Sequence, residues 1–175
     1  MIEDSIKKSI RDIPDFPKPG IIFKDITPLL KDQKLCSQIV EAFVVELEGL
    51  AFDAIAGIES RGFLFGLMLA NRLNKPFIPI RKAGKLPFTT IHQSYDLEYG
   101  SAIIEVHEDA FEPGAKILVH DDLLATGGTV EATSLLIEKM NGVIAGFTFI
   151  VSLDFLNGEQ KLKKFSENVY TLAKY

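Results

Sequence analysis

Short apolar runs alternate with helix-type segments over most of the chain, and this alternation limits the possible folds more than any other feature. Runs typical of strands cover residues 53–58, 76–80, 101–107, 116–119 and 143–153. Segments typical of helices cover residues 62–73 and 129–140. Strands that alternate with helices predict an α/β fold with a central, mostly parallel sheet flanked by helices. Right-handed crossovers then gather the loops at the strand ends along one edge of the sheet.

The chain before residue 50 is expected to contain two helices. Isoleucines at helical spacing predict a short amphipathic helix over the first dozen residues, and they are Ile2, Ile6, Ile10 and Ile13. Residues 15–20 hold two prolines and a glycine, so they cannot continue that helix. A second helix is expected between Asp32, a suitable N-cap, and Glu48, where Gly49 is a natural stop.

Residues 83–100 are mostly polar and show no clear period, so a long loop is expected there. Loops of this length in a compact domain are usually functional or mobile. The length of 175 residues and the hydrophobic content of 47% fit a single domain with a buried core. We therefore expect one domain over residues 1–175.

The charge balance and the cysteine and histidine content exclude several classes of protein. A net charge of −5 disfavours a nucleic-acid-binding surface. Cys36 is the only cysteine, so no intramolecular disulfide can form, and the three histidines are not spaced as metal ligands. The first residues are polar and acidic, and no apolar run approaches the roughly 20 residues that span a bilayer. We expect a cytoplasmic protein that binds neither nucleic acid nor membrane.

Residues 117–129 carry the clearest functional pattern: an apolar strand, two acids, a loop of small residues and a helix start. Gly127 and Gly128 have no Cβ atom, so their backbone N–H groups can approach an anion closely. Thr126 and Thr129 add hydroxyl donors, and the helix start adds free N–H groups and the positive end of its dipole. The segment predicts a cradle for one phosphate monoester.

Asp121 and Asp122 stand directly before this cradle, where their carboxylates can accept hydrogen bonds from two neighbouring hydroxyls. A phosphate cradle beside an acceptor for a diol predicts a sugar phosphate ligand. A glycine turn with an Asp or Thr cap would explain the glycines alone, but it would not explain two acids at the end of a buried strand. A nucleoside-triphosphate loop is excluded, because the glycine spacing at residues 57–62 is followed by Phe63 and not by Lys and Ser or Thr.

The run VHDDLLATGGT at residues 119–129 resembles the phosphoribosyl diphosphate (PRPP) signature of type I phosphoribosyltransferases, in the version typical of the adenine phosphoribosyltransferase family. Four further segments resemble that family's adenine-side hood and its other active-site segments, and they are residues 15–30, 57–65, 81–87 and 95–100. The resemblance implies a type I phosphoribosyltransferase fold with a small N-terminal hood (residues 1–30) and a mobile active-site loop (residues 83–100). It also implies that PRPP and adenine are converted to AMP and pyrophosphate, in purine salvage.

The resemblance assigns roles residue by residue. PRPP and AMP would be bound by Ser60, Arg81, Lys85, Asp121, Asp122, Ala125, Thr126, Gly127, Gly128 and Thr129. The catalytic residues would be Glu98, Arg61 and Lys82. Adenine would be bound by Ile22, Phe23 and Lys24. Mg2+ would be required and held through PRPP oxygens, without direct protein ligands. A homodimer is also implied, in which basic residues act across the interface.

The sequence leaves several residue roles open. The acid/base residue could be Glu98, Asp96 or Glu105. Many family members carry arginine where this chain has Lys24, which keeps the charge but lacks the planar guanidinium. Many also carry an apolar residue at the position of His120, which is either a pH-sensitive group or a simple hydrogen-bonded neighbour of the acids.

Two rival functions are also open. Another enzyme of the class would act on hypoxanthine, guanine or xanthine, although a hood before the first strand of the sheet argues against it. A regulatory module that binds PRPP as a signal would need a basic exposed face, which the net charge of −5 disfavours. Residues 88–93 depart most from the family, so closure of the loop is the expectation with the least support from the sequence.

Overall fold

A computed structural model describes residues 1–16, 18–96 and 100–175 of the chain. Its helices are α1 Ile2–Ser9, α2 Gln33–Glu46, α3 Gly62–Arg72, α4 Gly128–Lys139 and α5 Gly158–Leu162. Its strands are β1 Arg11–Pro14, β2 Ile22–Asp25, β3 Ala54–Ile58, β4 Phe77–Lys82, β5 Thr90–Asp96, β6 Ser101–His107, β7 Lys116–Leu124, β8 Val143–Ser152 and β9 Val169–Lys174. Short 3-10 helices occupy Thr27–Lys31 and Asp154–Leu156.

The main sheet has seven strands in the order β5-β6-β4-β3-β7-β8-β9. β3 pairs in parallel with β4 and β7, and β8 pairs in parallel with β7 and β9. Among the described strands of this sheet, the antiparallel pairs are the two that β6 makes, with β4 on one side and β5 on the other. The mostly parallel sheet predicted from the alternation is confirmed. The carboxyl ends of β3, β4 and β7 therefore meet at one edge.

Two apolar clusters cover the two faces of the main sheet. On one face the buried side chains of α1, α2 and α3, such as Ile6, Phe43 and Phe65, pack with Leu118 of β7. On the other face the buried side chains of α4 and α5 pack with Ile117 and Val119 of the same strand. Successive residues of a strand point to opposite faces, so a strand buried on both sides must be apolar throughout. This explains why 116–119 shows an unbroken apolar run after Lys116.

The second helix begins where its sequence predicts and ends at Glu46, two residues before the predicted Glu48. Asp32 is the N-cap of α2, and its Oδ1 accepts the backbone N–H of Leu35 at 2.9 Å. Such a cap is worth about 1 kcal/mol, because it satisfies an N–H that has no partner within the helix. Gly49 follows the helix with a φ of +84°, a left-handed conformation that favours glycine.

The first helix is shorter than predicted. It ends at Ser9, and the backbone of Ile10 is already extended, with ψ at 139°. Ile13 lies in β1, opposite Phe23 of β2 in a separate antiparallel pair. The isoleucine spacing suits a helix, but pairing with a strand some ten residues later overrides it, and this pairing leaves no local signal.

The expectation of an irregular loop over residues 83–100 is wrong for Thr90–Asp96, which form β5. This strand lies antiparallel on β6, from Thr90 opposite His107 to Asp96 opposite Ser101. Its Ile91 and Tyr95 pack against the core, while the intervening Gln93 is polar and hides the alternation. The mobility expected of the whole stretch stays a prediction.

The last part of the chain adds two elements that the sequence did not predict. The short helix α5 packs on the α4 side of the sheet through Leu162. The edge strand β9 pairs with β8, and Tyr175, the residue after it, is tied to the end of β8. Among the described residues, no helix has the length and apolar content that a membrane crossing requires.

Candidate active site

Residues 125–127 link the carboxyl end of β7 to α4, and the predicted phosphate cradle lies at this link. They surround a depression of about 90 Å³ whose lining runs from Asp121 to Val130. Gly127 is the N-cap of α4 and has a φ of +78°. The first N–H groups of the twelve-residue helix have no carbonyl partner within it, so they are free to donate to an anion. The structure thus brings Ala125, Thr126, Gly127, Gly128 and Thr129 together.

The start of α5 supports the cradle from behind. A methyl group added to Gly158 would overlap the carbonyl oxygen of Ala125 and lie 3.1 Å from the nitrogen of Gly127. In return, a methyl group on Gly127 would lie 2.8 Å from the carbonyl oxygen of Gly158. Real Cβ atoms do not approach other atoms so closely, so the two backbones are in contact only because both residues are glycine.

Asp121 and Asp122 lie inside β7, because the strand runs further than the sequence predicts. Asp122 is 2% exposed, and the backbone N–H of Asp122 donates to Oδ1 of Asp121 at 2.9 Å. Burial raises the pKa of both carboxyls, and the charge of Asp122 raises the pKa of Asp121 further. The pair therefore holds a proton more readily than free aspartates do.

Arg61 approaches this pair from the start of α3. Its Nε lies 3.0 Å from Oδ2 of Asp122, in an ion pair that lacks hydrogen-bond geometry. The guanidinium lowers the pKa of Asp122, although burial outweighs it. A methyl group on Gly62 would lie 3.0 Å from Oδ1 of Asp121, so α3 packs directly against the acids.

Glu59 gathers the basic residues at the ends of β3 and β4. Its side chain is 8% exposed, and its Oε2 accepts Nε of Arg81 at 3.1 Å and the backbone N–H of Lys82 at 3.0 Å. Its Oε1 accepts Nζ of Lys85. Burial alone would raise the pKa of Glu59, but the hydrogen bonds from Lys85, Lys82 and Arg81 lower it to about 2. Ser60 follows through a cis peptide bond.

Glu105 fixes the chain just after these basic residues. It is buried, and its Oε1 accepts the backbone N–H groups of Lys85 at 2.9 Å and Leu86 at 3.0 Å. Burial opposes ionisation, but these backbone hydrogen bonds prevail and lower the pKa of Glu105. Glu105 is therefore a poor acid/base candidate, because its ionised carboxylate is already bound to the backbone. Glu98 lies outside the described residues, and Asp96 is exposed at the end of β5.

Phe23 of the hood contacts Arg61, which in turn pairs with Asp122. The guanidinium carbon of Arg61 lies 4.9 Å from the centre of the Phe23 ring, and Phe16 meets the same ring edge-on at 5.2 Å. Arg61 therefore contacts both the hood and Asp122. Ile22 is exposed. The ammonium of Lys24 instead lies 2.8 Å from Oδ1 of Asp12 and 4.0 Å from the centre of the Tyr175 ring.

His120 is fully buried beside the acids. Its Nδ1 lies 3.0 Å from the hydroxyl of Thr148, and its ring meets Phe43 edge-on. Burial lowers the pKa of His120 to about 3, so the ring is neutral at physiological pH. This favours the simple hydrogen-bonded neighbour over the pH-sensitive group.

The chain is similar to known proteins over its whole length. Residues 30–171 match the phosphoribosyl transferase domain family. An adenine phosphoribosyltransferase from Cytophaga hutchinsonii is 53% identical over 175 residues, which are 100% of this chain and 97% of the relative. The crystal structure of adenine phosphoribosyltransferase from Thermoanaerobacter pseudethanolicus is 47% identical, covers 100% of both chains and has a TM-score of 0.95. This chain belongs to the adenine phosphoribosyltransferase family.

Its structural neighbours in the adenine phosphoribosyltransferase family also confirm the predicted type I phosphoribosyltransferase fold. The enzyme from Saccharomyces cerevisiae, crystallised with adenine and an imino-altritol bisphosphate, is 37% identical, covers 98% of both chains and has a TM-score of 0.92. The likeness therefore extends well beyond the cradle and includes the hood.

Three residues of this adenine phosphoribosyltransferase site escaped the sequence reasoning. Glu59 lies directly before Ser60, and an acid before a predicted anion loop was the available signal. Gly158 follows Asn157, and an Asn-Gly pair after a strand marks a turn but not its neighbour. Tyr175 has no local signal, since its partners in the hood are far away in sequence.

Proposed function

We propose that this chain transfers the 5-phosphoribosyl group of PRPP to adenine and forms AMP and pyrophosphate. Its membership of the adenine phosphoribosyltransferase family supports the reaction. The observation that most supports the proposed site is the position of Arg61. Arg61 contacts Asp122, beside the phosphate cradle, and Phe23, in the hood. A sugar phosphate, a leaving diphosphate and a flat base can therefore meet around one side chain.

The ribose 5-phosphate half would bind at the end of β7. The cradle residues Ala125 to Thr129 would surround the phosphate with N–H and hydroxyl donors. Asp121 and Asp122 would accept the two ribose hydroxyls. Asp122 Oδ2 supports this role, since it is buried and has no hydrogen-bond donor among the described residues. A ribose hydroxyl would supply one.

The pyrophosphate would leave between the ends of β3 and β4. Ser60, Arg61, Arg81, Lys82 and Lys85 lie there, close to Glu59. Cations held in advance beside a developing negative charge stabilise a transition state at little cost in reorganisation.

Mg2+ is proposed as the cofactor, entering with PRPP. Among the described residues, no group of three or more His, Cys, Asp and Glu side chains is arranged to hold a metal ion. We propose that the ion is held through PRPP oxygens, without direct protein ligands, since magnesium is commonly bound through substrate phosphates. When bound, the ion would neutralise charge on the leaving diphosphate.

Adenine would lie against the ring of Phe23, and the extended backbone of Ile22 and Lys24 would form hydrogen bonds with the edge of the base. The yeast relative was crystallised with adenine, which supports a base site in this fold. Backbone carbonyls accept hydrogen bonds from the amino group of adenine, whereas guanine and hypoxanthine carry a carbonyl there.

In the proposed reaction, a ring nitrogen of adenine forms a bond to C1 of the ribose as the bond to the pyrophosphate oxygen breaks. The nitrogen loses its proton to a carboxylate, for which we propose Glu98. The enzyme contributes orientation, charge stabilisation and exclusion of water by the segment of residues 83–100.

A homodimer is also proposed, and the exposed Leu64, Leu67 and Met68 on α3 support an apolar contact. A cytoplasmic location stays a prediction.

The test is pyrophosphate release from purified protein with PRPP and Mg2+, offering adenine, hypoxanthine, guanine and xanthine separately. Release with adenine alone, together with AMP, is the expected result. Release with another base would show that the hood does not select adenine. Binding of PRPP without turnover on any base would favour the regulatory alternative.

A further inference from the structure

Among the described strands, β1 and β2 of the hood pair only with each other, so side chains connect this pair to the rest of the molecule. One connection is the contact of Phe23 with Arg61. A second is made by Lys24, the next residue of β2, whose side chain points to the opposite face of the pair. Its side chain is only 13% exposed, and its ammonium pairs with Asp12 of the neighbouring strand.

The ring of Tyr175 faces two cations of the hood. Nζ of Lys24, on β2, lies 4.0 Å from the ring centre, and Nζ of Lys7, on α1, lies 5.2 Å from it. Both distances are within the range in which an ammonium is attracted by the negative face of an aromatic ring. The ring itself is partly buried against the cluster that joins α1, α2 and α3.

The backbone fixes Tyr175 to the main sheet at the edge where the site lies. Its N–H donates to the carbonyl of Ser152 at 3.0 Å, and its carbonyl accepts the N–H of Asp154 at 2.9 Å. Ser152 is the last residue of β8. The Tyr175 ring is therefore held by the sheet and in turn holds the hood.

We propose that Tyr175 is a positioning residue for the base site, which fixes β2 relative to Arg61 through its contact with Lys24. This inference rests on the proposed function, since it takes Ile22–Lys24 as the segment that reads adenine. The phosphate cradle is supported separately, by Gly158. Loss of the Tyr175 ring should therefore weaken binding of adenine and leave binding of PRPP unchanged.

The experiment compares Tyr175→Leu, Tyr175→Phe and the control Tyr170→Leu. Tyr170 lies on β9 and packs against the same cluster. We expect Tyr175→Leu to raise KM for adenine about fivefold, with KM for PRPP within about twofold of wild type. Tyr175→Phe keeps the ring and should restore KM for adenine. Tyr170→Leu should lower the Tm without changing either KM.

An unchanged KM for adenine in Tyr175→Leu would overturn the proposal, as would parallel changes in Tyr175→Leu and Tyr170→Leu. Hydrogen exchange of the β2 amides gives a readout that does not depend on activity. Exchange should become faster in Tyr175→Leu and stay slow in Tyr170→Leu, and equal rates would also overturn the proposal. If wild type makes no AMP from adenine, the proposed function fails, and the exchange experiment still decides whether Tyr175 positions the hood.

Discussion

The phosphate cradle is held by backbone packing, whereas the hood is held by contacts between side chains. Gly127 and Gly158 touch so closely that neither could carry a methyl group without moving the other. The hood instead packs through side chains: Ile6, Ile26 and Leu29 are buried in the core, and its strand β2 contacts Arg61 through Phe23 and Tyr175 through Lys24. The proposed phosphate site is therefore sterically locked, whereas the proposed base site depends on side-chain contacts that single substitutions can weaken.

Gly158→Ala should have the largest effect. The added methyl group must displace Ala125 or Gly127, and a shift of about 1 Å in a binding group can cost roughly a hundredfold in rate. We expect kcat/KM for PRPP to fall by about that factor. Gly142→Ala is the matched control, because its methyl group would meet Ile137 and Phe111, away from the cradle. A similar loss in both variants would show that Gly158 acts through stability alone.

Arg61→Met tests the residue that the two regions share. Losing a charged hydrogen-bond donor to the proposed diphosphate costs about 1.5–3 kcal/mol, which corresponds to tenfold or more in binding. Because Arg61 contacts both Asp122 and Phe23, KM for PRPP and KM for adenine should both rise, by about tenfold. Steady-state kinetics with each substrate varied in turn measure this. A change confined to one substrate would mean that Arg61 does not join the two regions.

Asp121→Asn should weaken PRPP binding about fivefold to tenfold, because it replaces a charge-assisted acceptor by a neutral one. It should also stabilise the free protein. Burial and the charge of Asp122 raise the pKa of Asp121 above its ordinary value of 3.8. Its contribution to stability is therefore present below that value and is lost as pH rises through the higher folded pKa. Thermal unfolding should show a higher Tm than wild type at pH 8, with the difference vanishing near pH 3. A lower Tm at pH 8 would contradict this.

Lys24→Arg should have the smallest effect. A guanidinium keeps the charge beside Asp12 and can stack on the Tyr175 ring, as an ammonium does. KM for adenine should change by no more than about twofold, with KM for PRPP unaffected. Lys24→Met is the matched control, and it should reproduce the effect of Tyr175→Leu. A large change in Lys24→Arg would mean that the ammonium contacts adenine itself.

The mostly parallel main sheet could be predicted because its central strands are buried and locally apolar, whereas the order of its strands could not. Residues 117–119 face two cores and contain no polar residue, so they were recognised directly. The strands β1 and β5 escaped prediction for different reasons. The isoleucines of the first segment also fit a helix, and Gln93 interrupts the apolar face of β5. In both cases the partner strand supplies the stability, which no local pattern records.

The residues of the candidate site also fall into those with a local sequence signal and those without one. The cradle was predicted because Ala125 to Thr129 are contiguous and each residue type has a local reason to be there. Glu59, Gly158 and Tyr175 were missed because their roles depend on neighbours brought in by the fold. Glu59 illustrates this, since its partners Arg81 and Lys85 lie on another strand and the loop beyond it.

The carboxylate of Glu59 acts as an internal counter-ion for Arg81 and Lys85 in the proposed pyrophosphate site. With its pKa lowered to about 2, it stays charged at any pH at which the protein works, and it already occupies Arg81 and Lys85. A small monovalent anion such as chloride must compete with a carboxylate that belongs to the chain and loses no translational entropy when it pairs with the cations. A diphosphate brings several charges at once. If pyrophosphate binds here as proposed, ambient monovalent salt should leave the ion pairs of Glu59 intact, whereas a diphosphate should displace the carboxylate from Arg81 and Lys85.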